Sequence, residues 1–473
     1  MFIKAHTRTK DGKQHRYYSL VESVRTARGP QHRTLAYLGE LNASTQALWR
    51  KSIAVFNGDG NAQQLEMFTS DEPELPTGEQ VVQVVLNRVL WERPRDFGEV
   101  YLAQHLWKLL GLDHLLAQQM TGGEQQVDWH VMAFILTAAR LIAPSSELAI
   151  EQNFYPRTAL DDVTGVAQDK VNKNRLYRTL DRLLPHKAAI EAHLKGRLGT
   201  LFDEPFDLLL YDLTSTYFEG LAEANPAAVR GYSRDHRSDC VQIVIGLVVT
   251  RSGLPLGYEV FDGNRSDATT LQEMMGRMES LYGKASRIWV FDRGVASEKN
   301  LEALRACGGN YLVGTPRTLL RKVDRAACMR HTEGAYLLRT NLTGESEQSL
   351  WHMYMQLSDA EAAFRTLKQD LSIRPIYHQI QRRVEAHVLV CLIAYAMYRT
   401  LDRLARSHGL AMSGRKVLAA VSTIKSGDVV LPLVDGRELR LRRVSRPDPE
   451  QSELLARLGL NLPERIGVDL MSG

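Results

Sequence analysis

At 473 residues the chain is too long for one hydrophobic core, and its length predicts two to four domains. With 44% hydrophobic and 24% charged residues it reads as globular, and its longest strongly apolar run, Val388–Tyr398, is about half the roughly 20 residues that cross a bilayer, so no membrane partner is expected. The four cysteines form no CxxC pair and the N-terminus has no signal-like apolar stretch, which argues against a disulfide framework or zinc ribbon and for a reduced, cytoplasmic chain.

Residues 17–38, "YYSLVESVRTARGPQHRTLAYL", predict two strands around a turn at Arg28-Gly29-Pro30. Asn57 to Gln80 is loose and acidic, with two prolines, and reads as linker. From Gly98 to Phe202 apolar residues recur at helical spacing. In "KNRLYRTLDRLL", Leu176, Leu180 and Leu183 share one face, and Arg175, Arg178 and Arg182 another. Such a helix is an ordinary amphipathic surface helix or one offered to phosphates. The net charge is only +4, but Lys170–Gly199 holds eight Lys/Arg against Asp181 and Glu191, and Arg437–Arg446 is basic too. Two such stretches point to a polyanionic partner.

After Phe202 the pattern changes. "FDLLLYDLTSTYFE", "CVQIVIGLVVT" and "PLGYEVFDG" predict three meandering strands, followed by a helix, a strand ("RIWVFDRG"), a helix, a strand ("NYLVGT"), a strand-like "GAYLLRT" and a helix from Leu350. Together they predict an α/β fold: a mixed β-sheet with flanking helices, of the ribonuclease H kind. The helical region and a small β-containing N-terminal segment precede it.

Asp212 and Asp292 each end an apolar strand, where α/β sheets keep their sites. One strand-end Asp is usually a turn or cap residue; two on neighbouring strands need a cation between them. The third acid is Glu361, with Tyr354 and Lys368 each seven residues away and so predicted to lie along the same helical face. Three converging carboxylates suit two Mg²⁺ ions about 3.5–4 Å apart, the geometry of in-line phosphoryl displacement. Mn²⁺ is an equally open choice. Thr214 and Thr216 are candidates to orient Asp212, ordinary strand packing being as open for both. Asp262, followed by Gly263-Asn264, reads as a turn residue. "GYSRDHRSD" reads as a self-paired polar loop near the active face, and His236, His378 and His387 as structural or DNA-contacting.

Tyr354-x2-Leu357-x3-Glu361-x6-Lys368, with "GYSRDHRSD" and "VFDRGVASEKN", resembles the DDE transposases of bacterial insertion sequences, specifically the insertion-sequence-four superfamily with its Tyr-x2-Arg-x3-Glu-x6-Lys motif. Leu357 stands where that family has Arg. The resemblance covers residues 200–400 most strongly. It implies a transposase with Asp212, Asp292 and Glu361 as catalytic and metal-binding triad, Lys368 and Tyr354 on the DNA, and cleavage at element ends followed by strand transfer. It also implies double-stranded DNA as partner (terminal inverted repeats and target), a homodimer on that DNA, and a nucleoid-associated location. Many relatives carry a large β insertion before the Glu. Here about 18 residues, Arg317–Gly334, stand in its place, and Asp292 and Glu361 are 69 residues apart.

The expected organisation is therefore an N-terminal β-hairpin segment over 1–56, a linker over 57–97, a helical DNA-binding region over 98–201, a catalytic domain over 202–406 with its shortened insertion at 317–334, and a basic C-terminal region over 407–473. Two other readings stay open: a catalytically impaired or domesticated transposase that only binds DNA, and another ribonuclease H-like nuclease.

Overall fold

Successive side chains along a strand point to opposite faces, and this decides which core each residue of the central sheet joins. The computed structural model describes residues 2–10, 13–26, 29–39, 55–56, 62–63, 83–122, 127–284, 286–315, 337–463 and 465–471. The chain divides into two units, Met1–Gln83 and Val84–Gly473.

The first unit is an antiparallel meander of β1 (Phe2–Lys10), β2 (Lys13–Thr26) and β3 (Gly29–Gly39), with a two-residue pair, β4 (Val55–Phe56) and β5 (Ala62–Gln63). β2 pairs with β3 as far as Thr26 opposite Gly29, so Gly29 and Pro30, expected in the turn, belong to β3, and β1 adds a third strand. Tyr18 and Val21 are buried, and the Tyr17 and Tyr37 rings stack at 6.2 Å.

Much of the predicted linker, and the shortened insertion at 317–334, lie outside the described residues. Leu90–Asp96, within the predicted linker, is a strand, β6. Its partner is more than 300 residues further on, so no local pattern announces it. Helices α1 (Gly98–Leu109), α2 (Leu112–Gln119), α3 (Trp129–Ile142), α4 (Lys173–Leu183) and α5 (Lys187–Phe202) follow. α3 is apolar nearly all round and buried to match, with Met132, Ala133, Ile135, Ala138 and Ala139 inaccessible. α4 has the predicted stripe: Leu176, Leu180 and Leu183 are buried, and the Asn172 side chain caps its first turn by accepting the Arg175 N–H at 3.0 Å.

The sheet comprises β7 (Leu208–Tyr217), β8 (Gln242–Thr250), β9 (Pro255–Asp262), β10 (Ile288–Phe291), β11 (Asn310–Gly314) and β12 (Leu338–Thr340), in the order β12-β11-β10-β7-β8-β9. β7, β8 and β9 are antiparallel; β10 runs parallel to β7, and β11 to β10. This is the predicted ribonuclease H arrangement. Leu208, Leu210, Ile243, Ile245 and Val290 point to one face and join the helical core. Leu209, Tyr211, Leu213, Trp289 and Phe291 point to the other, beneath α6 (Leu271–Tyr282) and α7 (Glu298–Ala306). With both faces covered, β7 and β8 read as continuous apolar runs, not as alternation.

The helix predicted from Leu350 is two helices, α8 (Glu347–Met355) and α9 (Leu357–Gln369), meeting at Gln356. α8 packs against β11 and α9 against β7, so one straight helix could not serve both. The spine of the core is α10 (Gln381–Ser407), whose 27 residues are long and apolar enough to cross a membrane; 89% of its most apolar stretch is buried within the protein. Val388–Tyr398 is only the middle of this helix. α11 (Gly414–Val421), β13 (Lys425–Pro432), β14 (Glu438–Val444), α12 (Pro449–Arg457) and β15 (Arg465–Met471) complete the chain, with a second antiparallel sheet ordered β15-β14-β13-β6. The basic stretch read from the sequence is largely β14. Its Arg442 pairs with Asp162 at 2.6 Å and Asp428 at 2.8 Å, and Arg440 with Glu92 at 3.2 Å, so internal acids take up part of that charge.

Candidate active site

The β7–β10 register ends on Tyr211 opposite Phe291, so the next residue on each strand is the predicted aspartate. Adjacent strands lie about 4.8 Å apart, which brings Asp212 and Asp292 side by side. Asp292 follows the last residue of β10, but Asp212, expected to end its strand, lies within β7 opposite Leu247, because the ladder with β8 carries β7 on to Tyr217. Alternation puts Asp212 on the face of Leu208 and Leu210, the face covered by α9, the helix that carries Glu361. Asp292 opens a tight turn, its carbonyl accepting the Val295 N–H at 3.1 Å.

Electrostatics tie the three together. The Asp212 carboxyl is raised to about 6, chiefly by burial and also by the charges of Glu361 and Asp292, against the opposing pull of the Leu213 N–H (2.8 Å) and the Arg234 guanidinium. Asp292 and Glu361 are exposed. Among the described residues, none of the three carboxylates is ion-paired to a Lys or Arg. Their donors are all hard carboxylate oxygens, which suits a divalent cation in chemistry. Among the same residues, no three His, Cys, Asp or Glu side chains are drawn together tightly enough to hold one ion.

Tyr354 lies on α8, not on the helix of Glu361 and Lys368 as the spacing predicted. Its hydroxyl oxygen stands 2.8 Å from where a Cβ on Gly314 would be, at the end of β11. Leu357, at the position where the motif has Arg, is buried in the core. Lys368 is mostly buried and bonds Asp235 at 2.7 Å. Burial lowers its ammonium from the ordinary value and Asp235 opposes this. Arg374 pairs with the same Asp235 oxygen.

The loop "GYSRDHRSD" is thus only partly self-paired. Arg237 does hold Asp239, at 2.9 Å, but Asp235 reaches out to Lys368 and Arg374, and Arg234 to both oxygens of Asp267 at 2.7 Å. The sequence marks this loop but not the partners of Arg234 and Asp235, nor Arg374, because those partners lie 33 to 139 positions away. His378 pairs with Glu147 at 3.3 Å and His387 is buried beside it, both in the core. Asp262 closes a turn, as expected, accepting the Arg265 N–H at 2.9 Å.

On α4, Arg178 and Arg182 are exposed, and Arg182 lies over the Trp129 ring at 4.7 Å. Arg175 is half-buried, its guanidinium donating to the Lys170 carbonyl.

Residues 206–397 match the transposase DDE domain, the stretch that holds all three carboxylates. Residues 3–56 match the N-terminal domain of IS1634 family transposases. The chain belongs to the DDE transposases. Its two matches together span more than half of its length and mark it as the transposase of an IS1634-type insertion sequence. It is an enzyme acting on DNA, by cleavage and strand transfer, in a family that uses divalent metal ions. Among solved structures, a piggyBac transposase synaptic complex with hairpin DNA is similar at 11% identity, covering 73% of this chain and 82% of that one, with a TM-score of 0.40. No curated protein matches.

Proposed function

We propose that this transposase cuts phosphodiesters at the terminal inverted repeats of its own element and joins the freed ends to target DNA, with Asp212, Asp292 and Glu361 as the catalytic carboxylates. The observation that carries this is the register that sets Asp212 beside Asp292 on the face covered by the helix of Glu361.

The three carboxylates would hold two Mg²⁺ ions, for which Mn²⁺ can substitute; the ions, when bound, supply the charge that polarises the attacking and leaving oxygens. What the chain itself contributes is position. β7 and β10 fix the two aspartates on rigid strands, and α9 presents Glu361 from the covering layer. Tyr354 supports the strand end beside Arg293. Lys368 is proposed to face DNA near the cut, and Arg178 and Arg182, with a lesser part for Arg175, to track the backbone of the end sequence. A polar cleft of about 330 Å³, lined by Tyr232, Arg234, Arg265 and Gly294 among others, opens beside the Asp292 turn and offers room for the substrate strand. Two ends must be brought together, which favours a homodimer on DNA in the compartment that holds the chromosome.

Cleavage of a duplex carrying the element's end sequence, measured with Mg²⁺, with EDTA and with Asp292→Ala, tests this reading. Cutting that needs the divalent ion and disappears in the variant is the expected result. Binding without cutting by the wild-type chain would sink the catalytic reading and leave a DNA-binding protein.

A further inference from the structure

We infer that Asp235 is a positioning residue that holds Lys368 and Arg374 together as one phosphate-binding pair beside the carboxylate site. The inference rests on the transposase reading above and adds two residues to it, Asp235 and Arg374.

Three observations carry it. First, the Asp235 side chain is only 3% exposed, yet it is a carboxylate, and Lys368 Nζ and an Arg374 guanidinium nitrogen both bond its Oδ1; its Oδ2 is buried without a protein partner. A single anion between two cations leaves one positive charge in surplus, and Lys368 is seven residues from Glu361 on the same helix. A buried charge is kept at a cost of several kcal/mol unless its partners compensate, so such a group marks a constraint.

Second, the two cations lie six positions apart on either side of a turn that the Ile373 N–H closes on the Leu367 carbonyl at 2.9 Å, and the Asp235 carboxylate pairs with both side chains. Lys368 is near the end of α9, two turns from Glu361, and Arg374 follows in the connection to α10. Lys368 uses one of its three donors on Asp235, and Arg374 one of its five, so donors remain on both for phosphate oxygens. Arg374 is the more accessible, at 29% side-chain exposure against 12% for Lys368.

Third, the loop that carries Asp235 is strapped across the end of β7. The Arg234 N–H donates to Ser215 Oγ at 2.9 Å, and the Arg234 side chain takes Asp267 on one side of the sheet. The next residue, Asp235, takes Lys368 and Arg374 on the other. Consecutive residues therefore grip both covering layers, and His236 holds φ +58, a left-handed backbone that a non-glycine residue adopts only when its surroundings impose it.

The test is the salt dependence of binding. A fluorescent duplex carrying the element's terminal sequence is titrated in EDTA at several salt concentrations, and the slope of log K against log salt counts phosphate contacts at about 0.9 each. Lys368→Gln and Arg374→Gln are each expected to flatten the slope by about 0.9. Asp235→Asn is expected to flatten it as well, although it makes the chain more positive, because the pair loses its alignment. A merely structural Asp235 would lower the thermal midpoint and leave the slope alone, which would overturn the inference. So would a steeper slope or tighter binding in Asp235→Asn, since Asp235 would then be a competitor for the phosphate. If Asp235→Asn does not fold, an unchanged slope in either cation variant still refutes the pair. A wild-type chain that binds no duplex in a salt-dependent way would instead refute the transposase reading beneath it.

Discussion

Replacing Asp212 by Asn is expected to make the protein more stable in the absence of divalent ions. The carboxyl is held up to about 6, against about 4 for an ordinary Asp. A carboxyl raised on folding favours its protonated form: below about pH 4 both states are protonated and nothing is lost, and stability falls as pH rises through 6. Roughly two pH units correspond to at most about 3 kcal/mol of penalty above pH 7. For a unit of about 390 residues, Val84–Gly473, unfolding entropy near 0.8 kcal/mol/K turns that into at most about 4 °C. Thermal unfolding in EDTA at pH 8 should therefore give Asp212→Asn a midpoint up to about 4 °C higher, with the gap shrinking to about half at pH 5. Added Mg²⁺ should raise the wild-type midpoint and leave the variant's unchanged. A variant less stable than wild type at pH 8, or a gap that does not narrow toward pH 5, would refute the claim that burial and like charge set the energy of this carboxylate.

Glu361→Gln removes an exposed acid, so its stability in urea should stay within about 0.5 kcal/mol of wild type while cleavage falls by more than about 100-fold. Arg178→Ala and Arg182→Ala should each reduce the salt slope of DNA binding by about 0.9, equally for all sequences, and Arg175→Ala by less because its guanidinium is engaged by the Lys170 carbonyl; titrations in graded salt decide. Gly263→Ala would drive a Cβ into the backbone carbonyls of Gln242 and Val229, which cannot swing aside, and should cost about 1–3 kcal/mol by urea midpoint.

The catalytic sheet was legible because its signals are local. A strand covered on both faces must be apolar throughout, as "DLLLY" and "QIVIGLVV" are, and a carboxylate ending such a run has few other uses. Asp212 and Asp292 show themselves that way; Glu361 shows itself through its seven-residue spacing from Tyr354 and Lys368. The break at Gln356 was not, because the helical periodicity runs through it and no Pro or Gly marks it; only the need to reach β11 and β7 in turn explains the bend. β6 was invisible for the same reason, its ladder being supplied by β13. Ion pairs were the least legible. Nothing near Asp235 names Lys368, and nothing in "RELRLRRVSR" tells that Arg442 is spent on Asp162 and Asp428.

The β6–β13 ladder also sets an order of events during synthesis. β6 emerges from the ribosome ahead of the helices and the catalytic strands, yet it has no ladder to join until Lys425–Pro432 has been made. Arg95, on β6, is buried against Asp161 and Asp162, and Arg442, on β14, shares Asp162 with it. The charges around Asp162 are thus balanced only when one of the earliest and one of the latest segments of this unit meet. A nascent chain can bury its central sheet well before this second sheet closes, so the polypeptide reaches its finished form late in translation, a delay written into strand order alone.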